Sequence, residues 1–439
     1  MKSALSPNSF EAPSWLALNA STLMVWVAIS LIVVETFSGA LRYVLDLASL
    51  GALLYVPKAL CVLLAGLALT RLKIQRLFWF LLLALLLSTG LGLLHGGSLK
   101  NPAFSVFMYI PLLFGLVCGE HLEQRKRLLC WVIALCLLAS IGGVLLDMSM
   151  PLPWKGYLYN LGDQQLSGNT AWNADGIDRP GGFARMSTTA AMLIALFTLF
   201  LAAFTRSRGL LLAMFLVAAT AIVLTTNKST AAAFLLTVPL LVLANYRLAS
   251  GVIFTLVVLI GVGLPLTSLL VNLDPGLASS GNAGMLSSLY DRMINTWPDL
   301  VRNLDARGWS LQGAGFGLVG STVGLFPLDQ TLPVIADNTA VYLWAQFGLT
   351  GLLLYLMLLG LLMRLREKNS WMGRGLLNMT FCIIIVSWTT DVMEVSICNL
   401  FLGMAIAHAL RRRAIPGSEL ITERRRTDRE NYPDGLRLT

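Results

Sequence analysis

Residues 125–146 read RKRLLCWVIALCLLASIGGVLL: three adjacent cations, then nineteen residues without a formal charge before Asp147. A helix of ~20 apolar residues matches the ~30 Å hydrocarbon core of a bilayer. The segment therefore reads as a membrane helix with a basic foot. The same unit recurs along the chain. Of 439 residues, 56% are hydrophobic and 13% charged, and the mean hydropathy is +0.73. That is too apolar for a soluble domain, so the expected fold is an all-α polytopic membrane protein.

Twelve apolar runs are expected to span, beginning near residues 16, 44, 76, 103, 127, 186, 209, 229, 250, 338, 375 and 394. Basic clusters follow every second run: Arg71, Lys73 and Arg76; Arg125, Lys126 and Arg127; Arg206 and Arg208; Arg247; Arg364, Arg366, Lys368 and Arg374; Arg411, Arg412 and Arg413. Basic residues stay on the cytoplasmic side during insertion, so both termini are expected there. A miscounted span would break this parity midway. Two long connectors, about 147–185 and 272–337, then face the outside. Residues 1–414 read as one integral membrane domain, and 415–439 as a basic cytoplasmic tail that is disordered.

The net charge of +9 follows from the same bias, and nucleic-acid binding is excluded as its cause. The six cysteines, Cys61, Cys118, Cys130, Cys136, Cys382 and Cys398, lie in or beside apolar runs without metal-ligand spacing and read as small buried hydrophobes. No metal site and no cofactor are expected. The first run is longer than a signal-peptide core, has no small-residue cleavage site and reads as an uncleaved helix.

The outside connectors hold the residues that invite chemistry. Arg179-Pro-Gly-Gly-Phe-Ala-Arg185 precedes a helix start, and Thr225-Thr226-Asn227-Lys228-Ser229-Thr230 is a tight hairpin. Arginine forks and helix N-termini suit phosphate oxygens. Headgroup-level anchoring is the plainer reading of the arginines, and an ordinary loop lysine that of Lys228. Leu286, Leu289, Met293, Ile294 and Trp297 recur at helical spacing, which predicts an amphipathic helix on the membrane surface with Arg292 at its border. Residues 313–320 contain a literal GxGxxG. No strand or βαβ unit accompanies it, so the glycines read as close backbone approach or a re-entrant turn. Asp337-Asn338 opens the tenth run, where Asp337 is either a helix cap or a carboxylate available as a base. Asp391 and Glu394 read as loop charges, with support of the site residues as the alternative. Trp154, Trp172, Trp297 and Trp309 could stack on sugars, although interfacial tryptophans are common.

In order, Arg179-Pro-Gly-Gly-Phe with Arg185, Asn227-Lys228-Ser229-Thr230-Ala231, Arg292 before Asn-Thr-Trp297, Gly313-Ala-Gly-Phe-Gly and Asp337-Asn338 with Gly348 and Gly351 resemble the bacterial O-antigen polymerase and O-antigen ligase superfamily. These are polytopic membrane glycosyltransferases of the GT-C type. The resemblance covers about 175–360 and implies undecaprenyl-pyrophosphate-linked glycans as substrates. It implies Arg185 and Arg292 as catalytic pyrophosphate ligands and Asp337 as the residue activating the acceptor. Arg179, Lys228, Asn338 and Trp297 are implied to bind pyrophosphate or glycan. The ligase branch carries His where this chain has Asp337, which favours a polymerase of O-antigen or exopolysaccharide repeats in the bacterial inner membrane. The site would face the periplasm. A flippase and a chain-length-regulating co-polymerase are the implied partners. The alternatives are ligase-type transfer to another acceptor, and a flippase or transporter of lipid-linked oligosaccharide.

Overall fold

The computed structural model describes residues 20–69, 76–161, 164–171, 173–174, 177–271, 274, 286–328, 335–368 and 370–411. Lys2, Arg71, Lys73, Trp172, Arg412, Arg413, the 415–439 tail and much of the 272–337 connector lie outside them. The apolar runs fold as helices. These are α1 (Ala20–Thr36), α2 (Ser38–Leu47), α3 (Val56–Leu69), α4 (Arg76–Leu94), α5 (Lys100–Gln124), α6 (Lys126–Ser149), α7 (Ser187–Ala202), α8 (Arg208–Leu224) and α9 (Lys228–Thr237). Then follow α10 (Leu240–Leu243), α11 (Arg247–Leu270), α12 (Ser287–Asp291), α13 (Trp297–Ala306), α14 (Ser321–Leu325), α15 (Thr339–Phe347), α16 (Leu349–Glu367), α17 (Trp371–Val386) and α18 (Ser396–Leu410). The 147–185 connector also carries two small antiparallel hairpins, β1 (Leu158–Leu161) with β2 (Gln164–Ser167) and β3 (Asn173–Ala174) with β4 (Ile177–Asp178).

Among the described residues five helices are long and apolar enough to cross a membrane: Gly51–Ala68, α5, α6, α11 and α16. The α1–α2 pair, bent by 89°, makes a sixth when counted as one span. Three shorter apolar helices, α7, α17 and α18, fill the centre. α7 and α17 are buried on nearly every side, as helices apolar all round must be. α18 is buried likewise and packs on α5 where Gly115 and Gly403 let the backbones touch.

Contacts collect the basic connectors on one face. Arg125 donates to Thr22 Oγ1 (3.0 Å), His408 lies 3.6 Å from Glu123 and 3.1 Å from Ser370, and Arg206 stands 5.8 Å from the Trp371 ring. Arg366 donates to the Arg247 carbonyl (2.9 Å).

Three expectations change. The second run does not start near 44: α2 turns off α1, a 3-10 turn (Gly51–Tyr55) follows, and α3 begins at Val56. Lys58 therefore sits in the first turn of α3, 3.9 Å from Glu35 and 4.5 Å from the Phe107 ring. The tenth run is broken at Gly348, whose φ of +61° breaks the helix between α15 and α16. Finally, the amphipathic stripe near Arg292 is covered by protein at its C-terminal end. Of its residues Trp297 is fully buried, as are Leu300 and Leu304 beyond it, whereas Leu286 is exposed and Leu289, Met293 and Ile294 are half-buried; the buried end packs against α11 and α15.

Candidate functional site

The centre of the site is built by two prolines. Within α11, Pro265 has no N–H to give the carbonyl of Gly261 four residues earlier. That free carbonyl accepts a hydrogen bond from Asn338 Nδ2 (2.9 Å), and the same amide donates to the Trp388 carbonyl (3.0 Å). Asn338 Oδ1 caps α15 by accepting from Val341 N (2.9 Å). Gly261 also makes room for Tyr355, since a Cβ there would lie 1.9 Å from the phenol oxygen. Gly261 is nine residues from the end of α11, about 13 Å at 1.5 Å per residue. The head of α15 is thus recessed below the end of α11. The second proline, Pro298, cannot donate to the Ile294 carbonyl, and residues Arg292–Thr296 widen into a π-turn. That turn carries Arg292.

Arg292 Nε donates to Asp337 Oδ2 at 2.9 Å. Its Nη1 donates to the Ser288 carbonyl (2.8 Å) and also to Ser288 Oγ. The two paired side chains are 21% and 32% exposed, so the pair is held but reachable. Asp337 has φ +48°, a left-handed conformation in which Asp and Asn are tolerated better than other side chains. Asp391 holds it there: one carboxylate oxygen accepts from Asp337 N and the other from Asn338 N, each at 3.1 Å. Thr339 closes the arrangement through the Ser387 and Thr390 carbonyls.

Glu394 ties this head to the glycine-rich segment. It accepts from Ser321 N (2.8 Å), from Ser321 Oγ and from Tyr342 (3.3 Å). Gly320 (φ +91°) passes so close that a Cβ would lie 2.1 Å from Glu394 Oε1. The glycines therefore serve close approach. Asp391 is buried and Glu394 half-buried, and both serve as hydrogen-bond acceptors that hold neighbouring backbone, which corrects their reading as loop charges. Burial pushes the carboxyls of Asp337, Asp391 and Glu394 above the usual range. At Asp337 the Arg292 guanidinium opposes that rise, and at Asp391 the neighbouring Glu394 and Asp337 charges add to it. Among the described residues, no three His, Cys, Asp or Glu side chains converge as metal ligands.

The second group surrounds the head of α7. Asp147, at the end of α6, accepts from Lys155 Nζ (2.8 Å) and from the backbone N–H of Gly181 (2.8 Å) and Gly182 (3.0 Å). The N–H nest of the Pro-Gly-Gly turn is thus filled by the protein's own carboxylate. Lys155 also pairs with Asp178, and Trp154 donates to the Gly182 carbonyl (2.8 Å). Arg185 is fixed through its backbone, N–H to Ser38 Oγ (3.1 Å) and carbonyl to Thr170 N (2.9 Å), while its side chain is exposed. Asn227 caps α9 and donates to Thr188 Oγ1 (3.1 Å), which sets Lys228 beside the head of α7. Neither the Arg185 nor the Lys228 side chain has a hydrogen-bond or ion-pair partner among the described residues. Arg179 differs, with a buried Nε that has no partner there.

The structure brings Arg292 and Asp337 together. Arg185 and Lys228 stand apart from them near the head of α7, each side chain without a hydrogen-bond or ion-pair partner among the described residues. Met192, Thr230 and Val386 line one small apolar gap, so the heads of α7 and α9 flank the end of α17 that leads to Asp391. No hydrogen bond or ion pair joins the two groups among the described residues. Trp297 and Asn338, expected to touch substrate, are used inside the protein: both are fully buried, and the Trp297 indole donates to the Ala336 carbonyl (3.0 Å). No protein-family model, curated protein or solved structure matches the chain.

Proposed function

We propose that this chain is a metal-independent membrane glycosyltransferase of the O-antigen polymerase type. It would transfer a growing glycan from undecaprenyl pyrophosphate to the terminal hydroxyl of a new lipid-linked repeat. The observation that carries this reading is the Arg292–Asp337 ion pair (2.9 Å) at the recessed head of α15. It stands at the end of α17 away from the basic connectors, with the unpaired Arg185 and Lys228 on neighbouring helix heads. On this reading all twelve apolar runs cross the bacterial inner membrane, with both termini cytoplasmic and the site toward the periplasm. A flippase that delivers repeats and a chain-length regulator are the matching partners.

The acceptor hydroxyl attacks the sugar carbon, and its proton passes to Asp337. The bond from that carbon to the pyrophosphate oxygen breaks, and undecaprenyl pyrophosphate leaves. Charge growing on the leaving group is met by Arg292, Arg185 and Lys228, and Asp337 acts as general base. This single displacement inverts the anomeric centre. Asn338, Trp297 and Asp391 hold the parts in place.

Transport of a lipid-linked oligosaccharide is the second reading. The broken tenth run and its recessed helix head favour it, since transporters place sites at such breaks. Proteoliposomes with a lipid-linked repeat separate the two. The polymerase reading expects polymer, falling by about 10²–10³-fold in Arg292→Ala and in Asp337→Asn. Full-length polymer from Arg292→Ala overturns it, and passage of unpolymerised repeat across the bilayer establishes transport.

A further inference from the structure

Arg292 has one guanidinium and two claims on it. Its Nε is occupied by Asp337 and its Nη1 by Ser288, yet the function proposed above asks it to hold a pyrophosphate. Asp337 is the less mobile of the two. Its backbone is fixed in the left-handed region (φ +48°) by the two oxygens of Asp391, with Asn338 anchored to α11 and to Trp388. Arg292 is the mobile partner: its long side chain rises from a π-turn and is partly exposed.

We infer that the Arg292–Asp337 pair is a donor-operated latch, in which an arriving pyrophosphate takes Arg292 from Asp337 and thereby frees the carboxylate to receive the acceptor's proton. The inference rests on the polymerase reading for its biological sense, but the exchange itself is a binding property of the resting protein. A pyrophosphate offers more negative charge and more acceptor oxygens than one carboxylate, and guanidinium forks bind such oxygens bidentately. While the donor is absent, Asp337 stays masked by Arg292 and is unavailable to activate water. Once the donor is bound, the buried carboxylate loses its neutralising neighbour and becomes a stronger base. The remaining charges around it, Asp291, Asp391 and Glu394, are all acidic and push the same way.

The test is titration of the full-length protein in detergent with inorganic pyrophosphate, without sugar or metal. Asp337→Asn removes the internal competitor while tolerating the positive φ, and Asp337→Gly is a second variant that accommodates the same backbone. Each is expected to bind pyrophosphate up to about fivefold more tightly than wild type, the value of one partly exposed ion pair. The gain should vanish in an Arg292→Ala background, and Asp291→Asn should change affinity by no more than about twofold. If Arg292→Ala weakens binding but neither Asp337 variant tightens it, the latch is wrong and the polymerase reading stands. If the tightening survives without Arg292, it is bulk electrostatics and the latch is likewise wrong. Absence of binding by every variant, or no effect of Arg292→Ala, removes both the latch and the pyrophosphate role of Arg292.

Discussion

Asp391 gives the sharpest prediction about how the site is held. Its two oxygens accept the N–H groups of Asp337 and Asn338 at 3.1 Å each. Asp391→Ala strands two donors in a buried place, at about 1–3 kcal/mol each. Loss of a buried carboxylate returns part of that, because its desolvation disfavours the charged form. A net loss of about 2–4 kcal/mol is expected. Asparagine is a poor rescue, since it keeps one oxygen but turns an NH2 group onto the other donor. The larger effect falls on turnover, because Asp337 loses the clamp that holds its left-handed backbone. A displacement near 1 Å at a reacting group costs about 10²-fold. The assay pairs the thermal unfolding midpoint in detergent with the polymerisation rate. Asp391→Ala should unfold several degrees lower and polymerise about 10²-fold more slowly. A variant as stable and as fast as wild type would refute the claim that Asp391 positions the head of α15.

Other consequences follow from named contacts. Gly315→Ala places a Cβ 2.3 Å from Gly92 N at φ +107°, so the variant should fail to accumulate as folded protein, checked by size-exclusion profile. Trp297→Phe leaves the buried Ala336 carbonyl without its donor at a cost of about 1–3 kcal/mol, yet glycan affinity should not change. A large loss of affinity would return Trp297 to the binding surface. The acid limb of the rate profile should lie above the ordinary aspartate range, because burial raises the Asp337 carboxyl. A raised carboxyl stays protonated to higher pH, so activity falls as pH drops through that raised value. The limb in kcat should lie higher than the limb in kcat/KM, since bound donor removes Arg292 from Asp337. Coincident limbs near the free-aspartate value would argue against Asp337 as the base.

Much of the architecture could be read from charge and hydropathy alone. The basic connectors expected on one side do touch in part, as Arg125 on Thr22 and Arg366 on the Arg247 carbonyl show. The break in the tenth run left a trace at Gly348, but its φ of +61° depends on the 311–315 segment packed against it. The stripe of Leu289, Met293 and Trp297 announced an amphipathic helix; periodicity does not say whether protein or lipid covers it. Asp391 and Glu394 were misread because a carboxylate in a short connector resembles a solvated one. Their setting between Thr390, Val392, Met393 and Val395 was too apolar for that, and is the signal that could have found them. Asp147 was passed over as a mere boundary, although a lone acid ending an apolar run must find donors. Here they are the Gly181 and Gly182 amides and Lys155. The Arg292–Asp337 pair joins residues 45 apart, a distance no local pattern reveals.

The central claim is that the recessed Arg292–Asp337 head is a metal-independent polymerising site. It is tested most directly by purified protein treated with chelator, a lipid-pyrophosphate-linked repeat unit as sole substrate, and Arg292→Ala alongside. The account predicts a ladder of polymer from the wild type and none from the variant. A folded wild type that makes no ladder, or an unchanged ladder from Arg292→Ala, would contradict it.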